Sequence, residues 1–171
     1  RPSYPTFQKI GQRLLEIRDP ASIAGSRRLR LSVLSSFNID PIKAYLEVGC
    51  LERNIWADVF IPGYKQFAQM LLSGESALYA FKPDVCFMHL NVEALIARRR
   101  GLSLQVEDIF STLQTLRSLI AAFRQHSTGD LVISNFVIPS RFPFSAKPNP
   151  IVQGYASLND QLKTLAQEFS G

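Results

Sequence analysis

Small hydroxyl, amide and imidazole side chains gather after three apolar runs of this chain. Ser35, Ser36 and Asn38 follow the first, His89 and Asn91 close the second, and Ser134 and Asn135 follow the third. A serine hydrolase needs a hydroxyl nucleophile, a base to take its proton, and N–H donors for the developing oxyanion. Ser36 or Ser35 is the candidate nucleophile, and Asn38 or Asn91 a candidate donor. The base is the difficulty. His89 lies inside an apolar run and reads as a core histidine with one satisfied hydrogen bond, while His126 falls at a helix end that faces away from the strand mouths. The two serines equally suit a tight strand-to-helix turn whose amides they would satisfy, and Asn91 and Asn135 can tie loops to backbone.

Other chemistries lack their signatures. No Gly-x-Gly-x-x-Gly follows a strand-like run and no Gly-Lys-Ser/Thr loop occurs, so nothing points to a dinucleotide or nucleoside triphosphate. Two separated histidines and two separated cysteines offer no metal-ligand spacing, and no cofactor is expected in this chain. No two aspartates stand at i, i+2, which excludes an Asp-x-Asp phosphoryl-transfer motif. Cys50 and Cys86 sit among apolar neighbours and read as buried, reduced thiols of a reducing compartment. Candidate ligand- or partner-binding residues are Asn38, Asn135 and the triplet Arg98, Arg99 and Arg100, which could take a phosphate or an acidic partner or form a solvated charge run. Phe142 and Phe144, alternating with prolines, could cap the core or contact another domain.

The elements that must position these residues are strands alternating with helices. Residues 1–28 read as an arm with one helix around Phe7 to Ile17, and residues 29–171 as the domain proper. A strand over Leu29 to Ser36 is followed by Asp40-Pro41, an N-cap and a first-turn proline, and a helix to about Leu51. Trp56 to Ile61 is a second strand, broken by Pro62-Gly63 before a helix with Phe67, Met70 and Leu71 on one face. Val85 to Asn91 is a third strand, apolar on both faces as befits one covered by helices. Val106, Ile109, Phe110, Leu113, Leu116, Ile120 and Phe123 make one stripe of a long helix closed by His126 and Gly129. Leu131 to Phe136 is the fourth strand. A proline-rich loop from Pro139 to Pro150 leads to a last helix opened by Ser157 and Asp160 at capping-box spacing, with Leu158, Leu162, Leu165 and Phe169 on one face. This succession predicts a three-layer α/β/α sandwich around a mainly parallel sheet of four to five strands, flavodoxin-like in kind.

Composition fits one such domain. The 171 residues are 46% hydrophobic and 19% charged, enough for a single core. The net charge of +5 is local: of 19 basic residues, Arg27, Arg28, Arg30 and Arg98 to Arg100 account for six, leaving 13 against 14 acidic. A basic coat for nucleic acid is therefore not expected. With no apolar stretch near the ~20 residues of a membrane span and no basic, apolar leader, a cytoplasmic protein is expected.

Five segments together carry a family resemblance: Leu31-Ser-Val-Leu-Ser-Ser-Phe-Asn-Ile-Asp-Pro41, Tyr45-Leu-Glu47, Ala57-Asp-Val-Phe60, Tyr64-Lys-Gln66 and Ser76-Ala-Leu-Tyr-Ala-Phe-Lys-Pro-Asp-Val85. They resemble the amino-terminal domain of FkbH-like proteins, with a looser match through Asn135-Phe136 and Leu158-Asn159. Ser76 to Val85 is the most specific part. The resemblance implies a carboxyl-terminal domain of the haloacid dehalogenase superfamily that holds the catalytic aspartates and magnesium. It further implies a role in polyketide biosynthesis: a glyceryl unit is taken from 1,3-bisphosphoglycerate, phosphate is released, and the unit is loaded onto an acyl carrier protein. The amino-terminal domain is itself similar to SGNH hydrolases, whose first strand ends in Gly-Asp-Ser. That triplet falls on Ser35, Ser36 and Phe37, so phenylalanine occupies the nucleophile position. Asn91 can match the family asparagine, whereas the Asp-x-x-His near the end meets Asp160 and Lys163. What the resemblance implies for this chain is an accessory domain beside a catalytic neighbour, with a divergent serine esterase or acyltransferase using Ser36 or Ser35 as the alternative.

Overall fold

The computed structural model describes residues 4–16, 27–96, 106–137 and 150–169. Four strands, β1 (Arg27–Ser35), β2 (Ile55–Phe60), β3 (Val85–His89) and β4 (Asp130–Ile133), form one sheet in the order β2-β1-β3-β4, every pair parallel. The helices are α1 (Tyr4–Leu15), α2 (Ile42–Leu51), α3 (Phe67–Leu72), α4 (Ala77–Phe81), α5 (Val106–His126) and α6 (Pro150–Glu168), with a short 3-10 turn at Val92–Ala94. This is the expected α/β sandwich with helices on both faces, and the order reverses between β1 and β3.

One face of the sheet carries the main core. Leu34, Cys86 and Met88 are sealed against Leu71 of α3, Leu78 of α4, Leu116 and Phe123 of α5, and Leu158 and Leu162 of α6. Period-2 alternation explains this: residues at even positions of β3 are buried, and their neighbours are half-buried. On the opposite face, where Val33, Ala57 and Val59 are buried, α2 packs on β2, and α1 packs on α2. A Cβ on Gly11 would stand 3.0 Å from that of Ala44, so glycine lets those two helices approach closely.

Several expectations need correction. The last helix starts at Pro150, not at Ser157, because proline already suits a first helical position; Ser157 lies inside, accepting a hydrogen bond from Gln161 Nε2 at 3.3 Å. The short α4, five residues long, is too brief to show a period. In α5 the buried face runs through Ile109, Thr112, Leu116, Leu119, Ile120 and Phe123, while Phe110, one position off that face, is 63% exposed. β3 ends at His89 rather than Asn91, and β4 at Ile133 rather than Phe136. The N-cap of α2 is Pro41, with helical dihedrals and no side-chain cap, and not Asp40, whose own N–H donates to Asn38 Oδ1 at 2.9 Å. Both cysteines are free; Cys86 is fully buried and Cys50 half-buried.

Candidate functional site

The parallel register brings the predicted residues to one end of the sheet. Ser35 pairs with His89, and Met88 with Ile133, so Ser35, His89 and Ser134 form a row across β1, β3 and the end of β4. Ser35 Oγ accepts the Phe37 N–H at 3.1 Å, and Ser36 Oγ accepts the Asn91 N–H at 2.9 Å. Both serines are buried at 7% exposure. Each of these hydroxyls thus meets a backbone amide of the turn that follows β1 or β3, the local role that short hydroxyl side chains commonly take.

His89 has a different partner. Its Nδ1 lies 2.5 Å from Ser134 Oγ, and its ring meets the edge of Phe37 at 5.2 Å between centroids and stacks on Phe87 at 6.2 Å. Phe37, at the position of the hydrolase nucleophile, therefore packs against an imidazole. A strand read as extending to Asn91 hides His89 in its interior; the observed end at His89 places the ring, half-buried, at the mouth. Asn91 and Asn135 are exposed at the same end. A space of about 10 Å³, room for roughly one water molecule, lies beside Ser35, Phe37, Asn38 and Tyr64.

The segment Ser76 to Val85 proves to be a set of fastenings. Ser76 Oγ donates to the Met70 carbonyl at 2.6 Å, and Tyr79 Oη to the Leu71 carbonyl at 2.6 Å, joining α4 to α3. Burial pushes the Tyr79 hydroxyl up to about 12, so it stays a donor across the physiological range. Leu78 is fully buried, and Lys82 turns the chain with φ 52°. Asp84 then accepts the Arg30 backbone N–H at 2.8 Å and Arg30 Nη2 at 2.7 Å, fixing the start of β3 to β1. A second motif pair, Glu47 of α2 with Asp58 of β2, lines a groove of about 190 Å³ with Lys43 and Trp56, whose Nε1 donates to Asp58 Oδ1 at 3.2 Å. Burial raises the Glu47 carboxyl above its ordinary value against the opposing pull of Lys43.

Two residues escaped the sequence reading in their roles. Asn159 of α6 accepts the Phe136 N–H at 2.8 Å and donates to the Phe136 carbonyl at 3.0 Å, so one amide side chain holds the strand-like pair of groups after β4. Ser134 escaped as the imidazole's partner, because spacing alone does not reveal which strands are neighbours. Arg98, Arg99, Arg100, Phe142 and Phe144 lie outside the described residues. Among the described residues no group of three His, Cys, Asp or Glu side chains is placed to hold a metal ion, and no helix is long and apolar enough to cross a membrane.

No protein-family model matches the chain, and no curated protein matches it significantly. A solved structure does. It is the N-terminal part of the protein BF1531 from Bacteroides fragilis, containing a phosphatase domain and complexed with Mg, superposing with a TM-score of 0.72 at 11% identity. The match covers 99% of this chain and 43% of that one, so this chain spans less than half the length of its structural neighbour. At that identity the likeness is one of fold.

Proposed function

We propose that this chain is the amino-terminal accessory domain of an FkbH-like glyceryl transferase/phosphatase of polyketide biosynthesis. The carrying observation is the fold shared over 99% of the chain with the N-terminal part of a protein that contains a phosphatase domain. The five resembling segments support the same reading, and Ser76 to Val85 contributes the fastenings that hold α3, α4, β1 and β3 in one body. In this reading a haloacid dehalogenase-type domain supplies the aspartates and Mg, takes the glyceryl unit from 1,3-bisphosphoglycerate, and passes it to an acyl carrier protein. The α/β domain is its platform. Arg27 and Arg28, exposed at the amino end of β1, the latter 3.7 Å from Asp58, give an acidic carrier domain a complementary charge.

Titrating the chain with its cognate carrier protein at about 50 mM and 500 mM salt tests the carrier contact, because exposed charges are screened at the higher value. The expected result is binding that weakens at least tenfold with salt. Binding absent at low salt removes the carrier from the proposal. A two-domain protein bearing this chain should load a glyceryl group onto the carrier, read by intact-protein mass, and failure to do so removes the transferase assignment.

A further inference from the structure

We propose that Ser134 is a nucleophile activated by His89, forming a site of acyl transfer that is independent of the accessory role above. The parallel ladder delivers both residues to the carboxyl end of adjacent strands, where open parallel sheets meet their ligands. Ser134 is held by more than its side chain: its N–H donates to the Met88 carbonyl at 3.0 Å, extending the ladder one residue past β4. The imidazole is held on two sides, by the edge of Phe37 and the face of Phe87, which keeps Nδ1 directed at Oγ 2.5 Å away. Base and nucleophile within hydrogen-bond reach, with the base oriented by a third group, is the geometry of an activated hydroxyl. Ser134 and His89 are half-buried and open to solvent, whereas Ser35 and Ser36 are buried against backbone amides.

The chemistry balances without a cofactor. With its proton on Nε2, the imidazole accepts the Ser134 hydroxyl proton at Nδ1 as Oγ bonds to the carbonyl carbon of an ester or thioester. Collapse expels the alcohol or thiol, which takes the proton from Nδ1, and leaves an acyl-serine. Water, deprotonated by the same nitrogen, then releases the acid and restores the hydroxyl. Asn91 and Asn135, exposed two residues after His89 and one after Ser134, put amide donors at the end of the sheet where an oxyanion would need them.

A fluorophosphonate probe tests the pair, because phosphorus bonds to Oγ as fluoride leaves. The folded protein should be labelled, with the label mapped by peptide mass spectrometry to Ser134. Ser134→Ala should abolish labelling, Ser157→Ala on the exposed side of α6 should keep it, and His89→Asn should slow it about a hundredfold or more. Circular dichroism establishes that each variant is folded. A folded protein that takes no label, or takes it elsewhere than Ser134, overturns the proposal. So does a folded His89→Asn protein labelled at the unaltered rate.

Discussion

At the amino end of the sheet, Arg30, Lys82, Asp84, Arg124 and His126 border an open space of about 570 Å³, whereas among the described residues the space beside Ser35 and Phe37 at the carboxyl end is about 10 Å³. Open parallel sheets meet their ligands at the carboxyl end. Of these two spaces the larger and more charged lies at the other end, and several of the groups there are engaged with one another. Asp84 binds Arg30, Arg124 Nη1 donates to the Gly129 carbonyl at 3.2 Å, and the Tyr79 and His126 rings stand 5.0 Å apart. The amino end is a fastening between strands; the carboxyl end holds the imidazole-hydroxyl pair. Cavity size and chemical capability are therefore separate properties of this fold.

The sharpest way to break the amino end is Gly129→Ala. A Cβ there would lie 2.2 Å from the Pro83 carbonyl oxygen and 3.1 Å from that of Asp84, both backbone atoms that cannot swing aside. The strand start would have to separate from the β3 entry, where the Asp130 N–H donates to the Asp84 carbonyl at 2.9 Å. We expect a loss of about 3 kcal/mol or more, at the upper end of overpacking effects. Chemical denaturation with urea measures it, and an unchanged midpoint would show that the two loops part freely.

Asn159→Ala acts at the carboxyl end with a smaller effect. It removes both partners of the Phe136 backbone while Phe136 itself stays buried at 3% exposure. Each unsatisfied backbone group costs about 1 kcal/mol, the low end for groups that are only partly buried, so the two together cost about 2 kcal/mol. Hydrogen exchange at the Phe136 amide should quicken by more than the global loss of stability accounts for, since the clamp is local. Equal protection in both proteins would assign the loop's order to packing of Phe136 alone.

How far such roles could be read from the chain depends on the range of the interaction. β1, α2, β2 and β3 follow from local period and punctuation, and so does the sandwich they make. Pro150 at a helix start was legible in principle and was outweighed by the Ser157/Asp160 spacing, a weaker cue because capping boxes also occur by chance inside helices. A strand that ends at His89 and not two residues later at Asn91 puts the imidazole at the mouth and not in the interior. Its pairing with Ser134, the Asn159 clamp and the Arg30–Asp84 bridge span 45, 23 and 54 residues. Such contacts depend on strand order, which periodicity does not encode. Thr112 illustrates the same limit: its position on the buried face of α5 is legible, but the sequence does not explain a fully buried Oγ1 that has no hydrogen-bond partner among the described residues.

Asp84→Asn gives the mildest test of the amino end, and its sign depends on pH. The Arg30 side chain, then the Arg30 backbone N–H, hold the Asp84 carboxyl below its ordinary value near 3.8. The folded state therefore binds this proton less readily than the unfolded state does. The resulting stability is fully present above the ordinary value and is lost as pH falls through the folded one. With 42% of the side chain exposed, solvent screens the pair and its worth is modest. At pH 7 we expect Asp84→Asn to lower Tm by about 2–4 °C. The gap should narrow as pH falls below about 4, the carboxylate range, and shrink further with added salt. A gap independent of pH would mean that the hydrogen bonds to Arg30, which an amide oxygen also accepts, matter there and the charge does not.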